Sequence, residues 1–289
     1  MNRPDRGLPR PYIRVLDTMA AMRAARAVFT GSVGFVPTMG YLHEGHLFLV
    51  RRCRQENDRT IVSIFVNPTQ FGPQDDFQRY PRDPERDLAL LEGESVDIVY
   101  MPAVPEVYPP GFDTYVEPGK IAQRLEGASR PGHFRGVATV VLKLFDVVQP
   151  TRAYFGQKDA QQVAVVKKLV QDLDVGLEVV SVPTVREPDG LAMSSRNVYL
   201  NPAERQAALC LWRALQDAQN LWTGGERKAE ALRQAMGATI EREPAARIDY
   251  ISIADGETLN ELDQAQPGAL VSVAVWIGKT RLIDNVSLE

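Results

Sequence analysis

The stretch from Gly34 to His46, with the sequence GFVPTMGYLHEGH, decides the fold of this chain. Its first six residues are apolar enough to predict a buried strand, and Glu44 begins an amphipathic helix that extends to Asn57. Between them lies a turn that contains two glycines and two histidines. A strand, a turn and a helix in this order form the first half of a βαβ unit, which predicts a parallel sheet.

The same alternation continues through the first two thirds of the chain. Further strands are predicted at residues 60–66, 97–100, 153–155 and 177–182, and helices at 84–92, 136–148 and 160–173. The strands lack a clean apolar–polar alternation, which indicates burial on both faces. The predicted fold class is therefore α/β, with a Rossmann-like, doubly wound parallel sheet as the N-terminal domain.

The pattern changes after Val182. Asn201 followed by Pro202 is a strong helix start, because Asn caps the first turn and Pro suits the first helical position. This helix is predicted to end at Trp222, and a second to end near Glu243. Strands at 248–253, 269–277 and 280–286 form an antiparallel group. We therefore predict two domains, residues 1–184 and a smaller α+β domain of residues 185–289.

The composition is that of an ordinary globular protein and excludes several classes. Of the 289 residues, 44% are apolar and 24% are charged, which rules out whole-chain disorder. The formal net charge of −4 argues against a nucleic-acid coat or a binder of anionic membranes. No apolar run reaches the ~20 residues of a membrane span, and the N-terminus lacks the apolar core of a secretory signal. Only two cysteines, predicted to be small buried side chains, favour a reducing, cytoplasmic location.

The turn between the first strand and helix has the chemistry of an anion site. Ligands of open α/β sheets bind at the carboxyl ends of strands, and a helix N-terminus there offers free N–H groups. His43 and His46, three residues apart, can project toward one anion. A zinc site is the first alternative, but the protease pattern places its two histidines four apart and only His133 remains elsewhere. Two solvated or capping histidines are the second alternative.

Four later segments carry polar groups at comparable positions. Asn67 and Gln70 follow the second strand and offer neutral amides that suit a hydroxy acid, although an Asn-Pro turn explains Asn67 equally well. Residues 125–136 form either a flap or an irregular surface loop. Lys158 and Asp159 follow a later strand; Asp159 is either a ribose acceptor or a plain helix cap. Ser194, Ser195 and Arg196 suit a triphosphate, and a simple turn is the alternative.

The ordered set of motifs PTMGYLHEGH, FVNPTQFG, YPR, LEGASRPGHFRGV, FGQKDAQQ and MSSRN resembles the pantoate–β-alanine ligase family over roughly residues 13–288. The His-x-Gly-His spacing also resembles that of the wider nucleotidyltransferase superfamily, whose members transfer AMP from ATP. At position 157 this chain has Gln where the family more often has Glu.

The resemblance implies a set of site residues. It assigns catalysis to His43, His46, Lys158, Ser194, Ser195 and Arg196. ATP binding is assigned to Met39, Gly40, Tyr41, Leu42, His43, Glu44, Gly45, His46, Gly156, Gln157, Lys158, Asp159, Val185, Met193, Ser194, Ser195 and Arg196. Substrate binding falls to Gln70 and Gln162, to which the residue pattern adds Asn67. No side chain is assigned to a metal.

The resemblance also implies an activity and partners. The expected reaction joins (R)-pantoate and β-alanine at the expense of ATP, through a pantoyl adenylate, and releases AMP and pyrophosphate. Mg²⁺ is expected to accompany ATP, the C-terminal domain is expected to act as a lid, and the chain is expected to form a homodimer that binds neither nucleic acid nor membrane. The alternative is another adenylyltransferase of the superfamily. Such an enzyme, acting on a phosphorylated substrate, is expected to replace the neutral amides with cations.

Overall fold

The computed structural model describes residues 13–73 and 75–289, so the expectation about the first twelve residues lies outside it. Within these ranges the larger sheet has six strands, all parallel. They are β1 (Arg14–Leu16), β2 (Val33–Thr38), β3 (Arg59–Ile64), β4 (Ile98–Tyr100), β5 (Arg152–Gly156) and β6 (Glu178–Val182). The five predicted strands are confirmed with ends shifted by one or two residues.

The strand order, β1-β4-β3-β2-β5-β6, places β2 inside the sheet between β3 and β5. The chain runs from β2 outward to β3 and β4, and then returns across β2 to β5 and β6. The sheet is therefore doubly wound, and its winding reverses between β2 and β5. Ligands of such sheets bind at this reversal point, beyond the carboxyl ends of the two strands.

Helices cover both faces of the sheet, as the unbroken apolar strands predict. In the described ranges the helices are α1 (Met19–Ala27), α2 (Glu44–Glu56), α3 (Pro84–Gly93), α4 (Val104–Val107), α5 (Glu126–Ser129), α6 (His133–Val148), α7 (Ala160–Asp172), α8 (Pro202–Ala207), α9 (Leu209–Thr223) and α10 (Ala229–Ile240). Phe35 and Ile61 pack with α1, α6 and α7. Their strand neighbours Val36 and Val62 pack on the opposite face, with α2 and α3. Successive side chains leave a strand on opposite faces, so both faces must be apolar.

The sequence pattern did not indicate β1 and α1. β1 has only three residues and pairs with β4 at the sheet edge, so it carries little periodicity. The start of α1 does have a local signal, because the Thr18 side chain accepts a hydrogen bond from the Ala21 amide at 3.2 Å. The first turn of α6 was also missed: the helix begins at His133, directly after Gly132, whose φ is +83°.

The C-terminal part forms a three-stranded antiparallel sheet covered by helices, as predicted. Its strands are β7 (Ala246–Ala254), β8 (Leu270–Ile277) and β9 (Thr280–Ser287), in that order. The predicted helix from Asn201 to Trp222 is divided at Ala208, whose dihedrals of −58° and −20° are those of a tighter 3₁₀ turn. The predicted cap is confirmed, since Asn201 and Glu204 form reciprocal side-chain bonds to each other's backbone amides.

The two faces of β8 contact different parts of the molecule. Val271, Val273 and Val275 pack against the C-terminal helices. Ser272 and Trp276, on the alternate positions, face the cleft between the two sheets. None of the helices in the described part of the chain combines the length and apolarity that crossing a bilayer requires. Cys53 and Cys210 are free and buried, as predicted.

Candidate active site

A cleft of about 1220 Å³ lies between the carboxyl edge of the large sheet and the small sheet. The loops after β2, β3, β5 and β6 line one wall, and β8 and β9 contribute the other. Most of the predicted site residues line it: Met39, His43, Gly45, His46, Asn67, Gln70, Gly156, Lys158, Asp159, Gln162, Val185, Met193, Ser194, Ser195 and Arg196. The cleft thus occupies the position that the reversal of strand order marks for a ligand.

Five predicted residues lie behind the cleft wall instead. Gly40 and Tyr41 line a separate cavity of about 250 Å³ on the other side of the loop. Leu42 is buried in the core between α2 and the sheet. Glu44 forms an ion pair with Arg51. The side chain of Gln157 accepts a hydrogen bond from Ser181 at 2.6 Å, and Gln157 does not line the cleft.

A buried carboxylate that sequence inspection missed holds the loop between β2 and α2. Gly40 and Tyr41 both have positive φ angles, +82° and +51°, so this turn is strained at Tyr41. Asp87 of α3 accepts hydrogen bonds from the Tyr41 and Leu42 amides, both at 2.7 Å, and is only 1% exposed. Asp87 therefore fixes the direction in which the chain enters α2.

The two histidines stand side by side at the start of α2. Their ring centroids are 4.0 Å apart, and the backbone N–H of His43 donates to Nδ1 of His46 at 3.3 Å. Because Nδ1 of His46 accepts this bond, the neutral ring carries its proton on Nε2. His46 thus keeps an N–H donor available for a ligand in the cleft. Nδ1 of His43 is buried without a hydrogen-bond partner in the described ranges.

Both rings are neutral at pH 7. Burial, followed by the nearby positive charge of Lys158, lowers the pKa of His43 to about 4. Burial and the neighbouring His43 and Lys158 hold the pKa of His46 well below its ordinary value of 6.5. Lys158 lines the same cleft as both rings, so the segment after β5 and the segment after β2 meet there. In the described ranges, no three His, Cys, Asp or Glu side chains are grouped to hold a metal ion.

Asn67 and Gln70 are adjacent and are organised differently. Asn67 is 1% exposed, and its amide donates to Gln70 Oε1 at 3.0 Å and to the Gly136 carbonyl at 3.1 Å. Its carbonyl oxygen accepts from the Tyr108 hydroxyl at 2.8 Å. With its groups so occupied, Asn67 orients Gln70. Among residues 13–73 and 75–289, the Gln70 amide nitrogen reaches only the Met39 sulfur, at 3.2 Å, and Gln70 lines the cleft.

A histidine and an arginine that sequence inspection did not assign contact the backbone of Gln70. His133 Nδ1 lies 2.8 Å from the backbone carbonyl oxygen of Gln70, which can only accept, so Nδ1 carries the proton. Arg130 contacts the other ring nitrogen at 3.4 Å and binds Asp75 at 2.7 Å. Burial and the charge of Arg130 lower the pKa of His133 to about 4, so this ring is also neutral. The motif Arg-Pro-Gly-His, in a segment predicted as a loop, was the available signal.

The segment after β5 supplies the least compensated cation among the assigned residues. Gln157–Asp159 is a 3₁₀ turn that leads into α7. The Lys158 ammonium lies 3.8 Å from the Asp159 carboxylate, and its side chain is 19% exposed. Asp159 occupies the cap position of α7, but its side chain makes no capping bond, so the cap alternative is not realised here. Gln162, one turn into α7, makes no side-chain hydrogen bond within the described ranges.

The segment that contains Val185 and Arg196 folds back on itself and contacts two other segments of the site. The Met193 amide donates to the Val185 carbonyl at 3.0 Å, which brings these two residues side by side. The Ser195 hydroxyl donates to the Tyr41 carbonyl at 3.2 Å. Arg196 binds both carboxylate oxygens of Asp76, at 2.8 and 2.9 Å. This turn therefore joins the segment after β2 to the loop after β3.

Sequence inspection also missed a cluster of charged side chains that lines the cleft and joins its two sides. Arg281 of β9 binds both oxygens of Glu126, at 2.7 and 2.8 Å, and also Asp249 at 2.7 Å. The Tyr250 hydroxyl donates to the same Glu126 at 2.9 Å. Glu126 belongs to the segment predicted as a flap or loop, yet it lies in α5 and is only 7% exposed. This cluster links the large-sheet and small-sheet parts of the chain.

Comparisons with known proteins agree with this arrangement. A protein-family model described as pantoate-beta-alanine ligase matches residues 14–287. The pantothenate synthetase of Roseiflexus castenholzii is 63% identical over 277 residues, which are 96% of this chain and all of that protein. That of Chloroflexus aurantiacus is 59% identical over 278 residues, 96% of this chain and 99% of that one.

Two solved structures of the same kind of enzyme match this chain over nearly its whole length. The crystal structure of pantothenate synthetase from Thermus thermophilus matches with a TM-score of 0.91 at 52% identity, over 95% of this chain and 99% of that chain. Pantoate-beta-alanine ligase from Francisella tularensis, solved in complex with beta-gamma ATP and β-alanine, matches with a TM-score of 0.80 at 36% identity, over 95% and 97% of the two chains.

The fold and the cleft define an α/β enzyme with a large cleft at the carboxyl edge of a doubly wound sheet, under a smaller α+β part. The chain belongs to the pantoate–β-alanine ligase family, and its activity is that of a ligase in pantothenate biosynthesis.

Proposed function

We propose that this enzyme uses ATP to join (R)-pantoate to β-alanine through a pantoyl adenylate, releasing AMP and pyrophosphate. The observation that carries the proposal is a convergence at the reversal point of the sheet. There the His46 N–H donor and the Lys158 ammonium lie in one cleft with the amides of Gln70 and Gln162. The family relative that was solved with beta-gamma ATP and β-alanine supports the choice of these two ligands.

In the first step, a carboxylate oxygen of pantoate attacks the α-phosphorus of ATP. A new oxygen–phosphorus bond forms, and the bond to the pyrophosphate oxygen breaks. Negative charge grows on the phosphate oxygens during this step, and groups that are already oriented stabilise it best. We assign this role to Lys158, His46 and the Ser194–Arg196 segment. A neutral His46 suits it, because its Nε2–H donates without a proton having to be transferred.

The substrate pocket is assigned to Gln70 and Gln162. Both amides have hydrogen-bonding capacity directed to the cleft, and neither carries a charge. Neutral donors and acceptors suit the hydroxyls and carboxylate of pantoate, whereas a phosphorylated substrate needs cations. Asn67 contributes by holding Gln70 rather than by direct contact. Gln70 also lies at the proposed β-alanine site.

In the second step, the β-alanine amine attacks the acyl carbon of the adenylate. A carbon–nitrogen bond forms, AMP leaves with the electrons of the carbon–oxygen bond, and the nitrogen loses a proton. No enzyme nucleophile is required, so the protein acts by positioning the reactants and by excluding water from the adenylate.

Mg²⁺ is proposed to enter with the phosphates of ATP. Mg²⁺ is commonly held by substrate phosphates and only one or two carboxylates. This fits the donor set, because Asp75 and Asp76 are paired with arginines while Asp159 faces the cleft with a side chain 49% exposed. When bound, the ion would offset phosphate charge, and Asp159 is the carboxylate available to it.

Isotope exchange tests the proposal. With pantoate present and β-alanine absent, labelled pyrophosphate should exchange into ATP, because the first step is reversible and needs no amine. A reaction without pantoate is the control and should show no exchange. Exchange that required β-alanine would rule out a free adenylate.

The proposal extends, on the family resemblance alone, to a homodimer located in the cytoplasm. The molar mass in solution, measured by light scattering, tests the first of these. A single chain has a mass of 32.1 kDa, so a value near that mass would contradict the dimer.

A further inference from the structure

β9 makes two unusual contacts with the nucleotide-binding segments, through consecutive residues. The first is Asn285, which is 5% exposed. Its amide nitrogen donates to the backbone carbonyls of Gln157 and Lys158, at 3.0 and 2.9 Å. These bonds fix the orientation of the amide, because the opposite orientation would place its oxygen against two carbonyl oxygens.

The second contact is made by Asp284, which is 3% exposed. It binds both terminal nitrogens of Arg186, at 2.6 and 3.0 Å. The Arg186 guanidinium also stacks on the Trp212 ring, 3.9 Å from its centroid. Arg186 directly follows Val185, so this ion pair holds the root of the segment that ends in Ser194–Arg196.

Asn285 and Asp284 contact different segments from the same strand. Consecutive side chains leave a strand on opposite faces, so β9 has one nucleotide-binding segment on each side. β5 and β6 pair as far as Gly156 and Val182, so the strands align the points at which the two segments begin. Gln157–Asp159 and residues 185–196 lie beyond this last pair, and β9 contacts both of them there.

We propose that Asn285 and Asp284 are positioning residues for adenylation: they hold the Lys158 turn and the Val185–Arg186 segment in fixed positions relative to each other. This inference rests on the proposed function. Asn285 acts through Lys158, and Asp284 acts through Arg186. A misplacement of about 1 Å in a reacting group can cost on the order of 10²-fold in rate, so a small shift of the turn matters.

The test uses Asn285→Asp, which keeps the size of the side chain but replaces the donor with an oxygen that repels the two carbonyls. Asn285→Ala is the second variant, in case the first does not fold. Asn260→Ala is the control, because Asn260 lies in the same C-terminal part of the chain and its side chain accepts a bond from Arg124 of the N-terminal part, but contacts neither nucleotide-binding segment. Thermal unfolding establishes that each variant is folded.

Two comparisons of reaction rates test the positioning role of Asn285. Pantoate-dependent pyrophosphate exchange should fall roughly 10- to 100-fold in the Asn285 variants and stay within about twofold in Asn260→Ala. In a Lys158→Ala background, Asn285→Ala should change the rate by less than about twofold, since residues that act as a unit are not additive. Losses that multiply in the double variant would show that Asn285 acts independently of Lys158 and would overturn the inference.

A readout that does not depend on the reaction separates this inference from the proposed function. Amide hydrogen exchange at residues 157–160 should become faster in Asn285→Ala and remain unchanged in Asn260→Ala. If the wild-type enzyme gives no pyrophosphate exchange while this difference is seen, the proposed chemistry fails and the positioning role stands. Equal exchange at these amides in both variants would refute the positioning role whatever the activity.

Discussion

The protonation of His46 is decided by a single backbone bond and by burial. A neutral ring whose Nδ1 accepts from the His43 N–H presents Nε2–H to the cleft. Lys158 provides the accompanying positive charge. At the scale of the residue, the site is thus a neutral donor beside a cation, and the first prediction tests this pairing.

The first prediction concerns these two groups. Lys158→Ala or His46→Ala should lower the rate of adenylation by about 10²–10³, the typical loss for one donor to transition-state charge. The reaction of preformed pantoyl adenylate with β-alanine should be affected far less. Lys168→Ala, which removes an exposed lysine paired with Asp172, is the control. Equal losses in both half-reactions would assign Lys158 and His46 a general structural role.

The second prediction concerns substrate selection by Gln162. Gln162→Ala should weaken the use of pantoate by about 1–3 kcal/mol, because polar groups of the bound substrate lose their partner. The affinity for ATP should remain close to that of the wild type. Gln171→Ala, on an exposed position of the same helix, is the control. The measurement is the KM for pantoate together with ATP binding by calorimetry, and an unchanged KM would remove Gln162 from the site.

At the scale of the element, the loops after the strands are held by partners distant in sequence. Asp87 of α3 fixes the turn after β2, and Asn67 fixes Gln70 after β3. The turn that contains Arg196 contacts both regions, through Ser195 to Tyr41 and through Arg196 to Asp76. Arg196 must exchange Asp76 for phosphate if it is to bind the triphosphate.

The third prediction follows from that exchange. Arg196→Lys should lower adenylation and release more AMP than pantothenate, because Lys lacks the planar fork and a poorly closed segment admits water to the adenylate. Arg205→Lys, an arginine that pairs with Glu187 and Asp189, is the control. The ratio of AMP to pantothenate is the measured quantity.

Mobility of the same segment gives an independent check. Amide exchange across residues 187–197 should slow when a non-hydrolysable ATP analogue is added, since the segment is expected to be mobile without nucleotide and ordered with it. If the analogue left exchange unchanged, the segment would be a linker and not part of a lid.

At the scale of the whole molecule, a cluster of buried charged side chains joins the two sides of the cleft. Arg281 and Glu126 lie on opposite sides of the cleft, with side chains 14% and 10% exposed. The pair is further bound by Asp249 and Tyr250. Removing one member of such a pair leaves an uncompensated buried charge.

The fourth prediction concerns the contribution of the Arg281–Glu126 ion pair to the stability of the protein. Arg281→Met should lower the free energy of unfolding by about 3–5 kcal/mol, and the double variant Glu126→Gln/Arg281→Met should recover part of it. Arg52→Met, which breaks the exposed pair with Glu56, should cost no more than about 1 kcal/mol. Urea unfolding gives the comparison. Similar losses for Arg281→Met and Arg52→Met would mean that the cluster contributes no more than a surface ion pair.

The sequence by itself determined the fold class and which polar segments line the cleft. Apolar runs without a clean alternation, which alternate with helical patterns along the chain, favour a covered parallel sheet, and Phe35 and Val36 do pack on its opposite faces. The capping signal at Asn201 is equally local. Because ligands bind beyond the strand ends, the position of each polar segment after its strand predicted that they would meet, and fifteen of the assigned residues do line one cleft.

Only the tertiary structure decided how these residues act. Asn67 was assigned to the substrate, but its partners Gly136 and Tyr108 occupy it, and both are far along the chain. The partners that fix the loops, such as Asp87 and Asn285, carry no local pattern, because a single polar residue in a helix or strand has many possible uses. Hydrogen bonds and burial that set protonation and orientation depend on contacts between distant segments, and periodicity along the chain contains no information about them.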